Sequence, residues 1–154
     1  MSSSFQFELR SHWSLAAPPD AVWQALCTPE QWPQWWPYVR AVQTLEPGAA
    51  HGIGARHRFH WGSRLPYDLH LEVRTVACEP GVRLRGEACG DLRGVGEWRL
   101  TPAAGGTCLR YDWAVDLQQR WMRWLAPVLK PLFAWNHQAV MAAGEAGLRR
   151  WLQT

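Results

Sequence analysis

From Ile53 to Val115 the chain alternates between charged and apolar residues, and every strand Arg, Asp and Glu falls on one phase. The first run, IGARHRFHW, sets Arg56 and Arg58 against Ile53, Ala55, Phe59 and Trp61. The second, YDLHLEVRTV, sets Asp68, Glu72 and Arg74 against Tyr67, Leu69, Leu71 and Val73. VRLRGEA, LRGVGEWRL and TCLRYDWAV repeat the split. A period of two marks a strand with one wet and one buried face. These runs predict five antiparallel strands whose inner face carries no strand carboxylate and no strand Arg. What that face covers must be apolar.

Elements on either side follow from similar patterns. FQFELRSHWSL alternates Phe5, Phe7, Leu9, Trp13 and Leu15 with polar residues and predicts a first strand. AAPPDAVWQALC predicts a short helix from about Pro19 to Leu26. In TPEQWPQWWPYV, Thr28 is the expected N-cap of a second helix kept short by Pro33 and Pro37. VRAVQTLEPG predicts a strand ending in a Pro-Gly turn. From about Leu117 to Leu152 the expectation is helix, interrupted or kinked early by Pro127 and Pro131. No repeat or linker divides the chain, so residues 1–154 are expected to form a single domain.

Opposite charges predict the strand registers. They pair Glu87 with Arg93 and Arg83 with Glu97, then Glu97 with Arg110, then Arg56 with Glu72 and His60 with Asp68. The same registers place Gly94 and Gly96 opposite Trp113 and Tyr111. Glycine inside a strand calls for a reason. Aromatic cover of bare backbone in a curved sheet is one, and room for a cavity is another.

A net charge of +3 without any basic run excludes a nucleic-acid footprint. The four cysteines form no CxxC pair, so no zinc ribbon is implied. The start, MSSSFQFELRSHW, has no apolar signal region, and no run reaches the ~20 apolar residues that span a bilayer. A cytoplasmic location is the expectation.

Candidate chemistry is sparse. His57 is the one imidazole on the buried phase. It either orients or titrates a polar ligand group or is a hydrogen-bonded core histidine. His57 and His60 are three apart and point to opposite strand faces, which argues against a shared metal. Tyr67 and Tyr111 also fall on the buried phase. Along the last helix, Leu125, Leu129, Leu132, Asn136, Val140, Ala143 and Gly147 form a stripe in which Asn136 is the lone amide. His137 lies about 100 degrees round that helix and flanks the cavity or faces solvent. The chain has 12 Trp. Trp32, Trp35 and Trp36 crowd the second short helix, and Trp121 and Trp124 stand near the start of the last. They line a ligand mouth, rest on a membrane interface beside Arg120, Arg123 and Lys130, or fill the core.

The order of strand, two short helices, six-strand meander and long C-terminal helix carries a resemblance. With "PEQWPQWWPYV", "LEPGAAHGIGARHRF", "GDLRGVGEWRLTPAAGGTCLRYDW" and "WNHQAVMAAGEAGL", the chain resembles the START-like, or SRPBCC, superfamily. It looks most like the branch of polyketide cyclases/dehydrases and lipid-transport proteins. The resemblance implies an α+β helix-grip fold: a curved seven-stranded antiparallel sheet wrapped around a long C-terminal helix, with a cavity between. The superfamily holds carriers, cyclases, receptors and co-chaperones, so fold does not give activity.

The expected function is binding of a hydrophobic small molecule or lipid, as carrier or sensor. Expected cavity residues are His57, Phe59, Trp61, Tyr67, Leu69, Gly94, Gly96, Trp98, Tyr111, Trp113, Leu132, Asn136 and Val140. No catalytic residue, metal or cofactor is assigned. Transient contact with a membrane surface is compatible with this reading. The alternatives are a metal-free polyketide cyclase or dehydratase using His57, a Tyr and Asn136, and a protein-interaction module of co-chaperone or ubiquinone-protein type.

Overall fold

The structure, a computed structural model, describes residues 5–66, 68–117, 120 and 124–153. Strand β1 (Phe5–Leu15) leads into helix α1 (Pro19–Leu26), a 3-10 turn (Pro29–Gln31) and the one-turn helix α2 (Trp32–Trp35). The meander follows as β2 (Val39–Glu46), β3 (Arg56–Trp61), β4 (Leu69–Glu79), β5 (Arg83–Gly90), β6 (Arg93–Ala103) and β7 (Gly106–Leu117). Helix α3 (Ala126–Leu152) ends the chain, with Pro131 inside it. Thr28 is not a side-chain cap: its hydroxyl donates to the Gln24 carbonyl at 2.8 Å, which continues the end of α1. The residues between Leu117 and Ala126 largely lie outside the described set, Trp121 and Arg123 among them.

All seven strands form one antiparallel sheet in the order β1-β7-β6-β5-β4-β3-β2. Two-fold alternation decides which face is wet, and the expected face is buried: Phe59, Leu71, Ala88, Trp98, Leu100, Leu109 and Val115 are inside. The registers, however, differ by two residues from those drawn from charge. β3 and β4 pair Arg56 with Arg74 and Arg58 with Glu72. β5 and β6 pair Arg83 with Arg99 and Arg85 with Glu97. β6 and β7 pair Glu97 with Asp112 and Arg99 with Arg110. The two-residue turn Ala104–Gly105, with Gly105 at φ +75, sets the last of these.

A slip of two keeps every side chain on its face, and strand twist brings diagonal neighbours together. Hence Arg56 reaches Glu72 at 2.8 Å, His60 reaches Asp68 at 2.7 Å and Arg83 reaches Glu97 at 3.7 Å although none is directly opposite. The glycines behave likewise. Gly94 lies opposite Val115 and Gly96 opposite Trp113, yet the Trp113 ring covers Gly94 and the Tyr111 hydroxyl covers Gly96. At both positions a Cβ would collide with the aromatic.

The core is built on indoles. Trp13, Trp32, Trp35, Trp36 and Trp98 are buried in one cluster. Trp13 sits 5.3 Å from Trp36 and 5.2 Å from Trp98 between ring centroids, both edge to face. Such contacts add about 0.5–1.5 kcal/mol each beyond burial. Helix α3 packs onto this cluster through glycine. Gly147 faces the Trp35 carbonyl, and Gly144 faces the rings of Trp36 and Trp13. The Trp36 indole N–H donates to the Val140 carbonyl at 2.8 Å. Further along, the Ser14 N–H donates to Glu145 at 2.8 Å, and Arg149 Nη2 donates to the Ser14 carbonyl at 2.9 Å. The opposite face of the helix start is bare: Trp124 is 82% exposed, Val128 67% and Trp135 46%. No helix among the described residues is long and apolar enough to cross a membrane.

Candidate functional site: an apolar cavity under the long helix

Between the inner face of the sheet and α3 lies a cavity of about 390 Å³, within the range of small-molecule sites. His57, Phe59 and Trp61 on β3 and Leu69 on β4 form part of its wall. Gly96 and Trp98 on β6, Tyr111 and Trp113 on β7, and Asn136 and Val140 on α3 complete the sequence-derived set that it brings together. Two expected residues are elsewhere. Leu132 is 38% exposed, because Pro131 and the outward stripe of Val128 and Trp135 place that turn of α3 toward solvent. Gly94 is screened from the cavity by the Trp113 ring that covers it. Tyr67 lies outside the described residues. Trp32 and Trp36 serve both as core and as wall.

Polar groups interrupt the apolar wall at few places. At one end the Thr44 hydroxyl donates to Glu30 Oε1 at 2.6 Å, and His57 Nε2 lies 3.1 Å from the same oxygen. Glu30 stands in the 3-10 turn, Thr44 on β2 and His57 on β3, the last two directly paired. Burial alone would raise the Glu30 carboxyl. Hydrogen bonds from Thr44, its own backbone and His57 together outweigh burial and hold it below the usual value. Among the described residues the inner strand face bears no carboxylate, and a helical turn supplies one. The only signal for it was the crowding in PEQWPQWWP, where Trp and Pro force a short segment hard against the sheet.

Under α3, the Tyr111 ring stacks on His137 with centroids 6.2 Å apart and planes at 19°. Burial pushes the Tyr111 phenol up, so it stays a neutral donor. Burial pushes His137 down to about 4, and its enclosed Nε2 has no hydrogen-bond partner among the described residues. Asn136 is not idle: its Oδ1 accepts from the backbone N–H of Arg64 at 2.9 Å, and the Arg64 guanidinium lies 4.6 Å over Trp135. These contacts tie the β3–β4 loop to the helix beside the cavity.

The remaining histidines differ in setting. His60 and His70 stack on the outer face at 4.4 Å, with His60 held by Asp68. His51, at φ 59, touches the cavity rim. Among the described residues no three His, Cys, Asp or Glu converge on a possible metal position. All four cysteines are free thiols, and burial, with Cys78 nearby, pushes Cys27 up to about 11.

Comparison with known proteins decides the family. The profile for polyketide cyclase / dehydrase and lipid transport matches residues 6–150. The chain belongs to that family. Its architecture is shared with solved structures of low sequence identity. A START superfamily protein from Mycobacterium smegmatis is 13% identical with a TM-score of 0.77, over 95% of this chain and 97% of that one. TTHA0849 from Thermus thermophilus is 17% identical with a TM-score of 0.76, over 92% and 96%. The di-domain ARO/CYC protein BexL of the BE-7585A biosynthetic pathway is 17% identical with a TM-score of 0.76, over 97% of this chain and 50% of BexL. Such identities establish the shared fold and leave this family member's ligand to its own residues. A comparison with curated proteins finds no match.

Proposed function

We propose that this family member binds a hydrophobic small molecule in the cavity beneath α3, as a carrier or sensor. The observation that carries this reading is the cavity itself: about 390 Å³, walled mainly by apolar side chains, with polar groups gathered at a few points. The residues assigned to the ligand are His57, Phe59, Trp61, Leu69, Gly96, Trp98, Tyr111, Trp113, Asn136 and Val140. A carrier must release its cargo at a surface, and the bare stripe of Trp124, Val128, Leu132 and Trp135 suits contact with a bilayer during exchange. Native mass spectrometry of freshly purified protein, followed by extraction, tests the reading. A co-purifying apolar molecule displaced by a flat polycyclic probe is the expected result. Failure to bind any apolar probe up to its solubility limit overturns it.

A second reading has one observation in its favour. A histidine on the wall of an apolar cavity, hydrogen-bonded to a half-exposed carboxylate at its rim, is the arrangement of a general base. The chain would then act on a carbonyl-bearing substrate as a cyclase or dehydratase. Turnover of a polyketide-like substrate that is lost in His57→Phe while substrate binding persists would move this reading ahead of the first.

A further inference from the structure

The outer side of the first turns of α3 is unlike an ordinary protein surface. Among the described residues, every exposed one from Trp124 to Trp135 is apolar: Trp124, Pro127, Val128, Pro131, Leu132 and Trp135. At 100° per residue, Pro127 to Trp135 spread these side chains over an arc of about 140°. Trp124 is 82% exposed and Val128 67%. A contiguous bare face of this kind marks an interaction site. It ends at Trp135, beyond which the exposed positions are Gln138, Ala142, Ala146, Arg149 and Arg150. None of the six lines the cavity, which takes Phe133, Asn136 and His137 from the other side of the same turns.

Charge decides what covers this face. Between Asp116 and Glu145 the sequence has no Asp or Glu, and it has Arg120, Arg123 and Lys130. Arg120 is exposed just before the face begins. At the other end Arg64, exposed on the β3–β4 loop, lies 4.6 Å over the Trp135 ring. A complementary surface is therefore apolar at its centre and anionic at its rim. A second copy of the chain does not fit. A two-fold dimer sets the patch against itself and brings arginines together with no carboxylate from this stretch to offset them. A bilayer with anionic head groups meets both needs, since indoles settle at head-group level and arginines reach the phosphates.

We propose that this face docks on an anionic lipid bilayer, with Trp124, Val128, Leu132 and Trp135 entering the interface and Arg64 and Arg120 meeting lipid phosphates. Docking gives the proposed carrier its place of exchange, and the contact itself does not depend on what the cavity holds. The test is co-sedimentation of the full chain with vesicles of phosphatidylcholine alone and of equal parts phosphatidylcholine and phosphatidylglycerol. The expected result is partition into the mixed vesicles about tenfold stronger than into phosphatidylcholine, from the two arginines near the surface. That preference should vanish at about 1 M salt. Arg64→Glu combined with Arg120→Glu should abolish it in low salt. Val128→Glu should weaken partition into both vesicles by about tenfold or more. All three positions are exposed, and a thermal melt of each variant confirms folding. Trp124→Ser takes the place of Val128→Glu if that variant fails to fold, and the two vesicles compared on wild type decide if the charge variant does. No sedimentation with either vesicle, or equal partition into both, overturns the proposal. So does a wild-type dimer in sedimentation velocity that Val128→Glu converts to monomer, because the occupant is then a second copy. A flat polycyclic probe titrated into wild type without vesicles reports on the cavity separately: vesicle binding absent with probe binding present overturns the docking face alone.

Discussion

Gly147→Ala is the substitution for which two physical effects compete most directly. Alanine inside a helix is favoured over glycine by about 1 kcal/mol. Taken alone, that would raise the melting temperature by about 2–4 °C for a chain of this size. The structure reverses the sign. A Cβ on Gly147 would collide with the Trp35 carbonyl oxygen and lie 2.8 Å from its carbon, and these are backbone atoms at the end of α2 that have no rotamer to change. α3 must lift, at an overpacking cost of about 1–3 kcal/mol. Lifting also strains the Trp36 bond to Val140 and the Ser14 clip to Glu145 and Arg149, worth about 1 kcal/mol each. Together these outweigh the propensity gain by about 2 kcal/mol or somewhat more, a fall of roughly 4–8 °C. The assay is thermal unfolding by near-ultraviolet circular dichroism, which reports the packed indoles. Ala142→Gly, exposed on the same helix, isolates the propensity and should cost about 1 kcal/mol. A higher melting temperature in Gly147→Ala would refute the seating of α3 on Trp35, and with it the roof of the cavity.

Two further outcomes follow from the cavity wall. Asn136→Leu removes the acceptor for the Arg64 amide in an exposed loop, so stability should change by no more than about 1.5 kcal/mol. Exchange of the Arg64 amide with solvent should accelerate at least about tenfold, and unchanged exchange would break the link between loop and helix. His137 has its folded value pushed down by burial to about 4, below the ~6.5 of the unfolded chain. Between those limits the unfolded state binds more protons, so stability is full above about pH 6.5 and is lost as pH falls toward 4, by up to about 3 kcal/mol. Urea unfolding at pH 7 and pH 5 measures the loss. His137→Phe should flatten that slope, and an equal slope in the variant would place the titration elsewhere.

Strand faces were legible because alternation is a local property of the backbone: Phe59 and Trp98 are inside for the same reason that Arg58 and Arg99 are outside. Register was less so. Charge identified Arg56–Glu72 and His60–Asp68 as partners but not whether they meet straight across or along the diagonal, since twist makes both reachable. The Ala104–Gly105 turn decides what charge leaves open. On the helix, period alone put Leu132 on the cavity stripe. The stripe also has an outer neighbour, and near Pro131 the bare face takes it. Glu30 escaped because it sits on a non-repeating turn, where no periodicity exists to assign a side. The helical stripe makes Asn136 an amide in need of a partner, and the partner is a loop amide 72 positions away, which sequence spacing does not reveal.

The sheet order has a consequence in time. β1 is synthesised first but pairs along its whole length with β7, Leu9 with Trp113 for example. At about 5–20 residues per second, its partner emerges several seconds later. During that interval β1 is an edge without a neighbour and Trp13 has no core to enter. β2 to β7 pair as successive hairpins, so they close locally while β1 waits. The concave wall thus has its middle strands paired before its last strand and its roof are in place.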